Sequence, residues 1–339
     1  MSALKTLLKE VIDPGLCVAC GACVSLCPYL VFLDGKVVCT DVCEREQGRC
    51  YEVCPKVPMK LSNGTVPPLG RFQSVHRTRA TVDPWKQTGQ YGGTVSAIID
   101  CALHEGIISR AVLTSKEGIG GPHGVVAVTR EEVSACGGSR YVAGGSLSVF
   151  NREAQRSAAP TGLVALPCQA MALNKMRASA LTKKEHSASI SLIVWLFCTW
   201  ALDYRSFIRF LKREEVGPEI RKYDIPPPPA NVLQIARSDA IREFPLDRIR
   251  PMAMEGCGLC PDMTAEQADI SVGALEGDVG WNTAIVRTEL GRELLERASD
   301  RGVVEVAEMP SSNLSHLEEA SVAKRARGLA RQRDRMNRD

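Results

Sequence analysis

The sequence has few aromatic residues, few histidines, little net charge and no long apolar run. Aromatic residues make up 5% of the chain, and the formal net charge is only +3 at pH 7, which argues against a general nucleic-acid binder. The most apolar stretch, residues 190–197, is too short to span a membrane and is rich in β-branched and aromatic residues, so it predicts a buried strand. The five histidines are scattered, and no Ser-His-Asp or paired-carboxylate arrangement indicates hydrolytic chemistry.

Cysteine, by contrast, is abundant. Its 14 residues would suggest disulfides in a short secreted chain, but the N-terminus has no signal-peptide pattern, so we expect a cytoplasmic protein with reduced thiols. The hydrophobic share of 45% and the charged share of 24% are ordinary for a soluble globular protein. A chain of 339 residues is long enough for two domains, or for one large domain with an appended module.

Eight cysteines near the N-terminus form two similar motifs. The first has the spacing C-x2-C-x2-C-x3-C-P and consists of Cys17, Cys20, Cys23, Cys27 and Pro28. The second has the less usual spacing C-x3-C-x6-C-x3-C-P and consists of Cys39, Cys43, Cys50, Cys54 and Pro55. The first spacing is that of one half of a bacterial two-cluster ferredoxin, in which the fourth cysteine of each motif binds the other cluster.

The two motifs therefore predict two 4Fe–4S clusters with exchanged fourth ligands. One cluster would be held by Cys17, Cys20, Cys23 and Cys54, and the other by Cys39, Cys43, Cys50 and Cys27. Zinc and disulfides are the alternatives, but zinc sites usually use two ligand pairs separated by a long gap, which does not explain three closely spaced cysteines before a Cys-Pro pair. We expect residues 1–65 to form a mobile, two-cluster ferredoxin-like domain of the α+β class that carries electrons.

Beyond residue 65, strands, turns and helices alternate. We predict strands at residues 107–114, 124–129, 163–169, 190–197, 268–273 and 280–288, and helices at residues 94–106, 170–178, 203–213 and 291–299. This alternation is typical of an α/β sheet whose functional residues gather at strand ends, so we expect residues 66–310 to form one α/β domain. The basic residues 311–339 predict a solvated, partly frayed helical tail, with a docking arm for an acidic partner as the alternative.

Four of the remaining cysteines form a third candidate group. They are Cys168, Cys198, Cys257 and Cys260. The first two each end a predicted strand, the other two form a C-x2-C loop, and strand ends at one edge of a parallel sheet converge, so the group would suit a third 4Fe–4S cluster. A redox dithiol beside two unrelated buried cysteines, or a zinc site with four thiolates, remains an alternative. Cys101 and Cys136 are expected to be inert packing residues.

Two glycines precede the first predicted helix of the α/β region. Gly92, Gly93 and Thr94 stand where this helix would begin, and apolar residues follow at helical spacing as far as Gly106. Free backbone N–H groups and the helix dipole favour a phosphate at such an end. An ordinary capped turn would give the same pattern.

From Gln90 onward the chain resembles the β subunit of coenzyme F420-reducing hydrogenase. The same family includes the β subunit of the related formate dehydrogenase, the deazaflavin-oxidising subunit of methanogen respiratory complexes and 7-hydroxymethyl chlorophyll a reductase. The matching segments are residues 92–94, 138–141, 166–169, 257–260 with Asp262, 268–273 and 280–283. Their order and spacing agree over about two-thirds of the chain, the N-terminal cysteine motifs aside.

This resemblance implies an α/β flavin-binding domain with FAD beside an iron–sulfur cluster. The residues implied in FAD binding are Gly92, Gly93 and Thr94 near the pyrophosphate, Ser139, Arg140 and Tyr141 in the flavin pocket, and Asp269, Ser271 and Gly273 on another side. The implied cluster ligands are Cys168, Cys198, Cys257 and Cys260. The resemblance identifies no catalytic residue and no motif for the carrier.

The first functional hypothesis is an electron-transfer subunit that oxidises or reduces coenzyme F420 at FAD. Its partner would be a subunit of a hydrogenase, a formate dehydrogenase or a heterodisulfide reductase, and we expect no nucleic acid and no membrane span. A second hypothesis is a ferredoxin-dependent flavin reductase of an organic substrate, similar to 7-hydroxymethyl chlorophyll a reductase. A third is a non-catalytic polyferredoxin relay without flavin.

Overall fold

An eight-stranded mixed sheet lies at the centre of the molecule. The computed structural model describes residues 1–57, 66–115, 121–217 and 219–337. The boundary expected between residues 65 and 66 adjoins residues 58–65, which lie outside the described residues.

The described residues contain thirteen strands. They are β1 Leu30–Leu33, β2 Lys36–Cys39, β3 Ser74–Ala80, β4 Arg110–Thr114, β5 Gly124–Ala127, β6 Thr161–Ala165, β7 Ile190–Leu196, β8 Ile220–Asp224, β9 Val232–Arg237, β10 Ile241–Pro245, β11 Ile270–Ala274, β12 Asn282–Val286 and β13 Val304–Glu308.

The α-helices differ widely in length. They are α1 Ala3–Leu7, α2 Arg49–Glu52, α3 Trp85–Thr88, α4 Thr94–His104, α5 Arg130–Ala135, α6 Ser146–Arg156, α7 Pro167–Ala178, α8 Lys184–Ala188, α9 Tyr204–Arg213, α10 Leu246–Ile249, α11 Glu289–Asp300 and α12 Ser311–Met336. A π-helical turn continues α1 at Leu8–Ile12, and 3-10 turns occupy Arg250–Met252 and Glu255–Leu259. Among the described residues, none of the helices combines the length and the apolarity that crossing a bilayer requires.

The central sheet has the strand order β13-β3-β12-β11-β7-β6-β4-β5. Its inner strands β11, β7, β6 and β4 are parallel, and the strands outside them run antiparallel to their neighbours. Strand β7 is the buried inner strand that its composition predicts. The prediction of an α/β domain is thus confirmed, with a mixed rather than a wholly parallel sheet. We call the edge at which β11, β7, β6 and β4 end the carboxyl edge.

A second, three-stranded antiparallel sheet consists of β8, β9 and β10. It packs with α9 around a separate apolar cluster that contains Phe207, Phe210 and Phe244. Tyr141 packs against the same cluster, so the small sheet lies beside the segment that leads into α6. This arrangement brings β8 to the carboxyl edge of the central sheet.

The N-terminal module, residues 1–57, has a small core of its own. Leu4, Leu7 and Val11 pack against Leu30 and Val37 of the β1–β2 hairpin, and several of the cysteines belong to this cluster. Such a core is too small to hold the segment by itself, and bound clusters would stabilise it.

The N-terminal module, which we expected to be mobile, packs against the central sheet. Ala22, Leu26 and Val53 belong to the same apolar cluster as residues of β6, α6 and α7. Asn151 of α6 is fully buried, and its Nδ2 donates to the carbonyl oxygens of Ala22 and Val24, each at 2.8 Å. The position of the module depends on contacts made by its outer face. Cysteine spacing carries no information about that face, so the sequence did not predict the docking.

The C-terminal helix α12 also differs from the solvated, frayed helix that its basic composition predicts. Ser321 and Lys324 are buried, and Ser321 Oγ donates to the carbonyl oxygen of Pro68 at 2.7 Å. Further along, Gln332 Nε2 donates to the carbonyl oxygen of Leu259 at 2.7 Å. Two arginines contribute to this packing, because Arg325 donates to the carbonyl oxygens of Pro67 and Pro68 and Arg335 donates to that of Glu10. One side of the helix is therefore packed although the composition is strongly basic.

Asn151 provides a direct test of the docking. We predict that Asn151→Ala lowers the free energy of unfolding by roughly 3 kcal/mol, because two buried carbonyl groups lose their donor. Denaturant unfolding of the cluster-loaded protein measures this change. The control is Gln155→Ala, which removes a bond from an exposed side chain of the same helix to the carbonyl oxygen of Ser25 and should change stability by well under 1 kcal/mol. Equal losses for the two variants would contradict the docking.

Candidate redox site

The structure brings together four cysteines of the two N-terminal motifs around one cavity. Cys17, Cys20, Cys23 and Cys54 line this cavity together with apolar residues and Lys56. The pKa of the Cys20 thiol is raised to about 12, mainly by burial and also by the nearby Cys54. Cys54 belongs to the second motif, so the grouping has the exchanged fourth ligand that the spacing predicts. We call these four residues the first cysteine group.

The second cysteine group lies at the other side of the N-terminal module. The pKa of Cys50 is raised to about 12, mainly by burial and also by Cys27 and Cys43, which lie close by. Cys39, at the end of β2, packs against the same apolar cluster, and its Sγ donates to the carbonyl oxygen of Asp41 at 3.0 Å. The cysteine exchanged here is Cys27 of the first motif.

The third cysteine group gathers side chains from three separate turns. Cys168 lies in the first turn of α7 behind β6, Cys198 follows β7, and Cys257 lies in the last 3-10 turn with Cys260 directly behind it. The pKa of Cys198 is raised to about 12, mainly by burial and also by the nearby Cys257 and Cys260, against the positive charge of Lys324. The carboxyl edge therefore brings these four thiols together.

The first and third cysteine groups are neighbours. Gln169, next to Cys168, donates from Nε2 to the carbonyl oxygen of Cys20 at 3.4 Å and to Ser146 Oγ at 2.7 Å. Burial raises the pKa of Cys168 well above its ordinary value, and among its neighbours Cys20 contributes most to a further rise. Helix α7 thus carries one cysteine of the third group and contacts the backbone of the first.

Two more contacts fix this adjacency. At the far end of α7, Lys175 Nζ donates to the carbonyl oxygens of Cys54 and Val57 at 2.7 and 2.9 Å. Gly256, before the C-x2-C loop, lies so close to Leu16 that a Cβ atom would be 2.0 Å from the Leu16 carbonyl oxygen. Glycine is required there because only a residue without a side chain allows the two cysteine loops to touch.

Zinc and a 4Fe–4S cluster need different arrangements of four thiols. A zinc ion binds its four ligands directly, whereas a 4Fe–4S cluster takes one thiolate on each iron, so its ligands stand farther apart. Within the part of the chain that the structure describes, no three or more His, Cys, Asp or Glu side chains are grouped so that they could hold a metal ion. Four thiols in each group is the number that a 4Fe–4S cluster requires.

The glycine turn before α4 lies at the carboxyl edge and is fixed by Asn282. Gly93 has a left-handed backbone with φ of 70°, and Gly92 packs so closely that a Cβ atom would lie 2.7 Å from Asn282 Oδ1. Asn282 Oδ1 accepts from the amide of Thr94 at 3.3 Å, and Asn282 Nδ2 donates to the carbonyl oxygen of Gly273 at 3.1 Å. Our prediction did not include Asn282, although it stands in the segment 280–283 on which the resemblance rests.

The start of α4 retains capacity to bind an anion. The amides of Val95 and Ser96 have no hydrogen-bond partner among the described residues, and Ala97 is the first whose amide bonds back, to Gly93. Oε1 of Gln90, just before the glycine turn, is buried and also lacks a partner in the described ranges. Free amides at the start of an eleven-residue helix are donors that fit a bound phosphate-bearing group, whereas the Gln90 oxygen can only accept and would need a donor on the ligand.

Ser139, Arg140 and Tyr141 lie between this turn and the small sheet. The Arg140 guanidinium donates to the carbonyl oxygen of Ser139 at 2.8 Å, and Tyr141 Oη accepts from the amide of Ile225 at 2.8 Å. Burial raises the pKa of Tyr141, and the nearby Asp224 raises it further, so the phenol is neutral at physiological pH. These residues line the carboxyl edge from the side of β8.

Asp224 joins the small sheet to the glycine turn. Its Oδ1 accepts from Gln90 Nε2 at 2.7 Å and from the Tyr91 hydroxyl at 2.9 Å. Burial raises the pKa of Tyr91, and Asp224 adds to this rise. The sequence offered no signal for Asp224, because it lies on a short strand whose pairing depends on residues far along the chain.

The structure does not bring Asp269 and Ser271 to the carboxyl edge. Asp269 Oδ2 accepts from the amide of Ile193 at 2.8 Å, and its Oδ1 accepts from Thr288 Oγ1 at 2.7 Å. Ser271 Oγ donates to the carbonyl oxygen of Ala265 and accepts from Arg287 Nε at 2.7 Å. Both side chains hold the amino end of β11 in place, whereas Gly273 lies near its carboxyl end.

Comparison with known protein families matches most of the chain. Residues 75–151 match the family model for the N-terminal part of the coenzyme F420 hydrogenase/dehydrogenase beta subunit, and residues 160–312 match the model for its C terminus. Residues 10–32 match a 4Fe-4S binding domain.

Individual relatives are similar over most of their length. The coenzyme F420 hydrogenase subunit beta of Methanothermobacter thermautotrophicus is 29% identical over 265 residues, which cover 76% of this chain and 92% of the relative. An F(420)H(2) dehydrogenase subunit of Methanosarcina mazei is 25% identical over 331 residues, covering 91% and 88%. A chain in a solved structure of the F420-reducing NiFe hydrogenase complex from Methanosarcina barkeri shares the fold, with a TM-score of 0.75 at 22% identity over 80% of this chain and 95% of that one.

The third cysteine group can be tested by its iron. We predict that Cys257→Ser lowers the iron content of anaerobically purified protein by about four atoms per chain, because one cubane loses a ligand. Cys101→Ala is the matched control, since Cys101 is buried within α4 and belongs to none of the three groups. If Cys257→Ser leaves the iron content unchanged, the assignment of a third cluster is wrong.

Proposed function

Since the chain belongs to the family of coenzyme F420 hydrogenase/dehydrogenase beta subunits, we propose that it transfers electrons between coenzyme F420 and a partner oxidoreductase subunit. The proposal includes FAD at the carboxyl edge and three 4Fe–4S clusters. The partner would be of the hydrogenase, formate dehydrogenase or heterodisulfide reductase type. The two relatives of this chain described above are named as subunits of an F420 hydrogenase and an F(420)H(2) dehydrogenase, which supports the coarser assignment as an oxidoreductase subunit.

The contact between Gln169 and Cys20 is the observation that supports the proposal most strongly. Because Gln169 adjoins Cys168, a single side chain links the backbones of the first and third cysteine groups. Two redox centres held this close can exchange electrons directly. A chain that merely stored iron would have no need to dock its N-terminal module against the carboxyl edge.

The ligand assignment follows from the three cysteine groups. The first cluster would be held by Cys17, Cys20, Cys23 and Cys54, the second by Cys27, Cys39, Cys43 and Cys50, and the third by Cys168, Cys198, Cys257 and Cys260. The first group lies between the other two, because Cys20 approaches the third group and Cys23 approaches Cys50 of the second. Electrons would therefore pass along the order third, first, second, or in reverse.

The carboxyl edge supplies residues that suit FAD. The glycine turn and the free amides of Val95 and Ser96 would hold the pyrophosphate, with Asn282 keeping the turn in place. Ser139, Arg140 and Tyr141 would border the ring system. When bound, the flavin would supply hydride exchange with the carrier, and the clusters would supply single-electron transfer.

The protein's own residues have definite tasks in this scheme. Tyr141 remains neutral because burial and Asp224 raise its pKa, so its hydroxyl can donate a hydrogen bond without adding negative charge beside a reduced ring. The hydroxyl of Tyr91 already donates to Asp224 and positions that carboxylate. The small sheet covers this side of the edge and excludes water from it. Asp269 and Ser271 serve the sheet, and we assign them no part in flavin binding.

The carrier is the most direct point to test. We predict that reduced F420 bleaches the visible flavin band of the anaerobic protein rapidly, whereas NADH and NADPH at the same concentration do not. Stopped-flow absorbance at the flavin maximum measures the rates.

The other outcomes separate the alternatives. If the flavin stays oxidised when reduced F420 is added, F420 is not the carrier, and reduction of an organic substrate becomes the favoured function. Protein that contains iron but no flavin would indicate a polyferredoxin relay instead.

A further inference from the structure

A buried lysine of α12 reaches the third cysteine group. Lys324 is only 4% exposed, and its Nζ donates to the carbonyl oxygen of Cys198. Lysine is almost never fully buried unless its charge is paired. Its position therefore needs an explanation beyond the packing of a helix.

The helix is held firmly over the C-x2-C loop. Gly328 lies so close to Cys260 that a Cβ atom would be 2.7 Å from the Cys260 carbonyl oxygen. Gln332 Nε2 donates to the carbonyl oxygen of Leu259, one residue earlier in the same loop, at 2.7 Å. At the other side of Lys324, Ser321 Oγ donates to the carbonyl oxygen of Pro68. These contacts fix α12, so the ammonium group of Lys324 has little freedom to move away from the cysteines.

The groups that face Lys324 are mostly acidic or thiolate-forming. Its Nζ contacts the backbone of Cys198, and one helical turn further on Gly328 touches the backbone of Cys260, so the ammonium group lies beside the turns that carry the cysteines. Asp262, whose carboxylate accepts from the amides of Ala265 and Glu266, is also within its electrostatic reach. A cation enclosed among these groups compensates negative charge that the third cysteine group carries when it binds iron.

We propose that the buried positive charge of Lys324 raises the reduction potential of the third cluster and so makes this cluster easier to reduce. The inference depends on the third cluster of the proposed function but not on F420 as the carrier. Reduction adds one electron to a cluster that already carries negative charge, and a nearby buried cation stabilises the reduced form more than the oxidised form. In a poorly solvated site this effect is large, because water screens the charge only weakly.

Three substitutions separate charge from packing. Lys324→Met and Lys324→Gln remove the charge but keep a side chain of suitable size, whereas Lys324→Arg keeps the charge. Arg333→Met removes an exposed cation of the same helix and serves as the control for general electrostatics. Each variant is purified anaerobically as the full chain, and its iron content and far-ultraviolet circular dichroism are compared with those of the wild type.

The measurement is a mediated reductive titration with dithionite, followed by electron paramagnetic resonance. For the neutral variants we expect the equilibrium constant for one-electron reduction of the third cluster to fall about tenfold, a shift of about 59 mV to more negative potential. Lys324→Arg and Arg333→Met should stay close to the wild type, and the other two clusters should not shift in any variant. Loss of the third cluster in both neutral variants but not in Lys324→Arg would also support a requirement for the charge.

Three results would overturn the inference. They are an unchanged potential in the neutral variants, equal shifts in the neutral variants and in Lys324→Arg, and a wild-type iron content that leaves no third cluster. Failure of reduced F420 to bleach the flavin would leave these titrations unaffected, since they use neither F420 nor flavin reduction as the readout.

Discussion

Thiolates buried close together repel one another, and this constraint governs how the chain is folded. Burial raises the pKa of Cys20, Cys50 and Cys198 to about 12, so such groups become thiolates only when iron or another positive charge compensates them. The protein meets the requirement in two ways. It arranges twelve cysteines in groups of four that suit cubane clusters, and it places lysines beside the first and third groups.

The docking of the N-terminal module brings two of the cysteine groups together. The first and third cysteine groups lie on separate parts of the chain, so their adjacency depends on contacts that have nothing to do with iron. Asn151 bonds the backbone beside Cys23, Gln169 bonds that of Cys20, and Lys175 bonds that of Cys54. These side chains come from the adjoining helices α6 and α7, so the N-terminal module and the central sheet form one packed unit. A relay built in this way has a fixed length between its neighbouring centres.

The sequence predicted which cysteines lie together better than it predicted the contacts between distant segments. Cysteine spacing predicted the grouping of the N-terminal cysteines, and the apolar run at residues 190–197 predicted β7 because an inner strand is buried on both faces. Strand β3 was missed, since its sequence SVHRTRA is largely polar and is half-buried in the sheet. The packed face of α12 and the role of Asn282 depend on contacts between distant segments. No local pattern of spacing or polarity encodes such contacts.

The central claim is that the first and third clusters are neighbours in one relay, and their magnetic interaction tests it most directly. In fully reduced protein, electron paramagnetic resonance should show signals of these two clusters that are broadened and split by spin coupling. Partial reduction, which leaves one of the pair oxidised, should return a sharp and unsplit signal. Three independent signals, unsplit at every stage of reduction, would contradict the account.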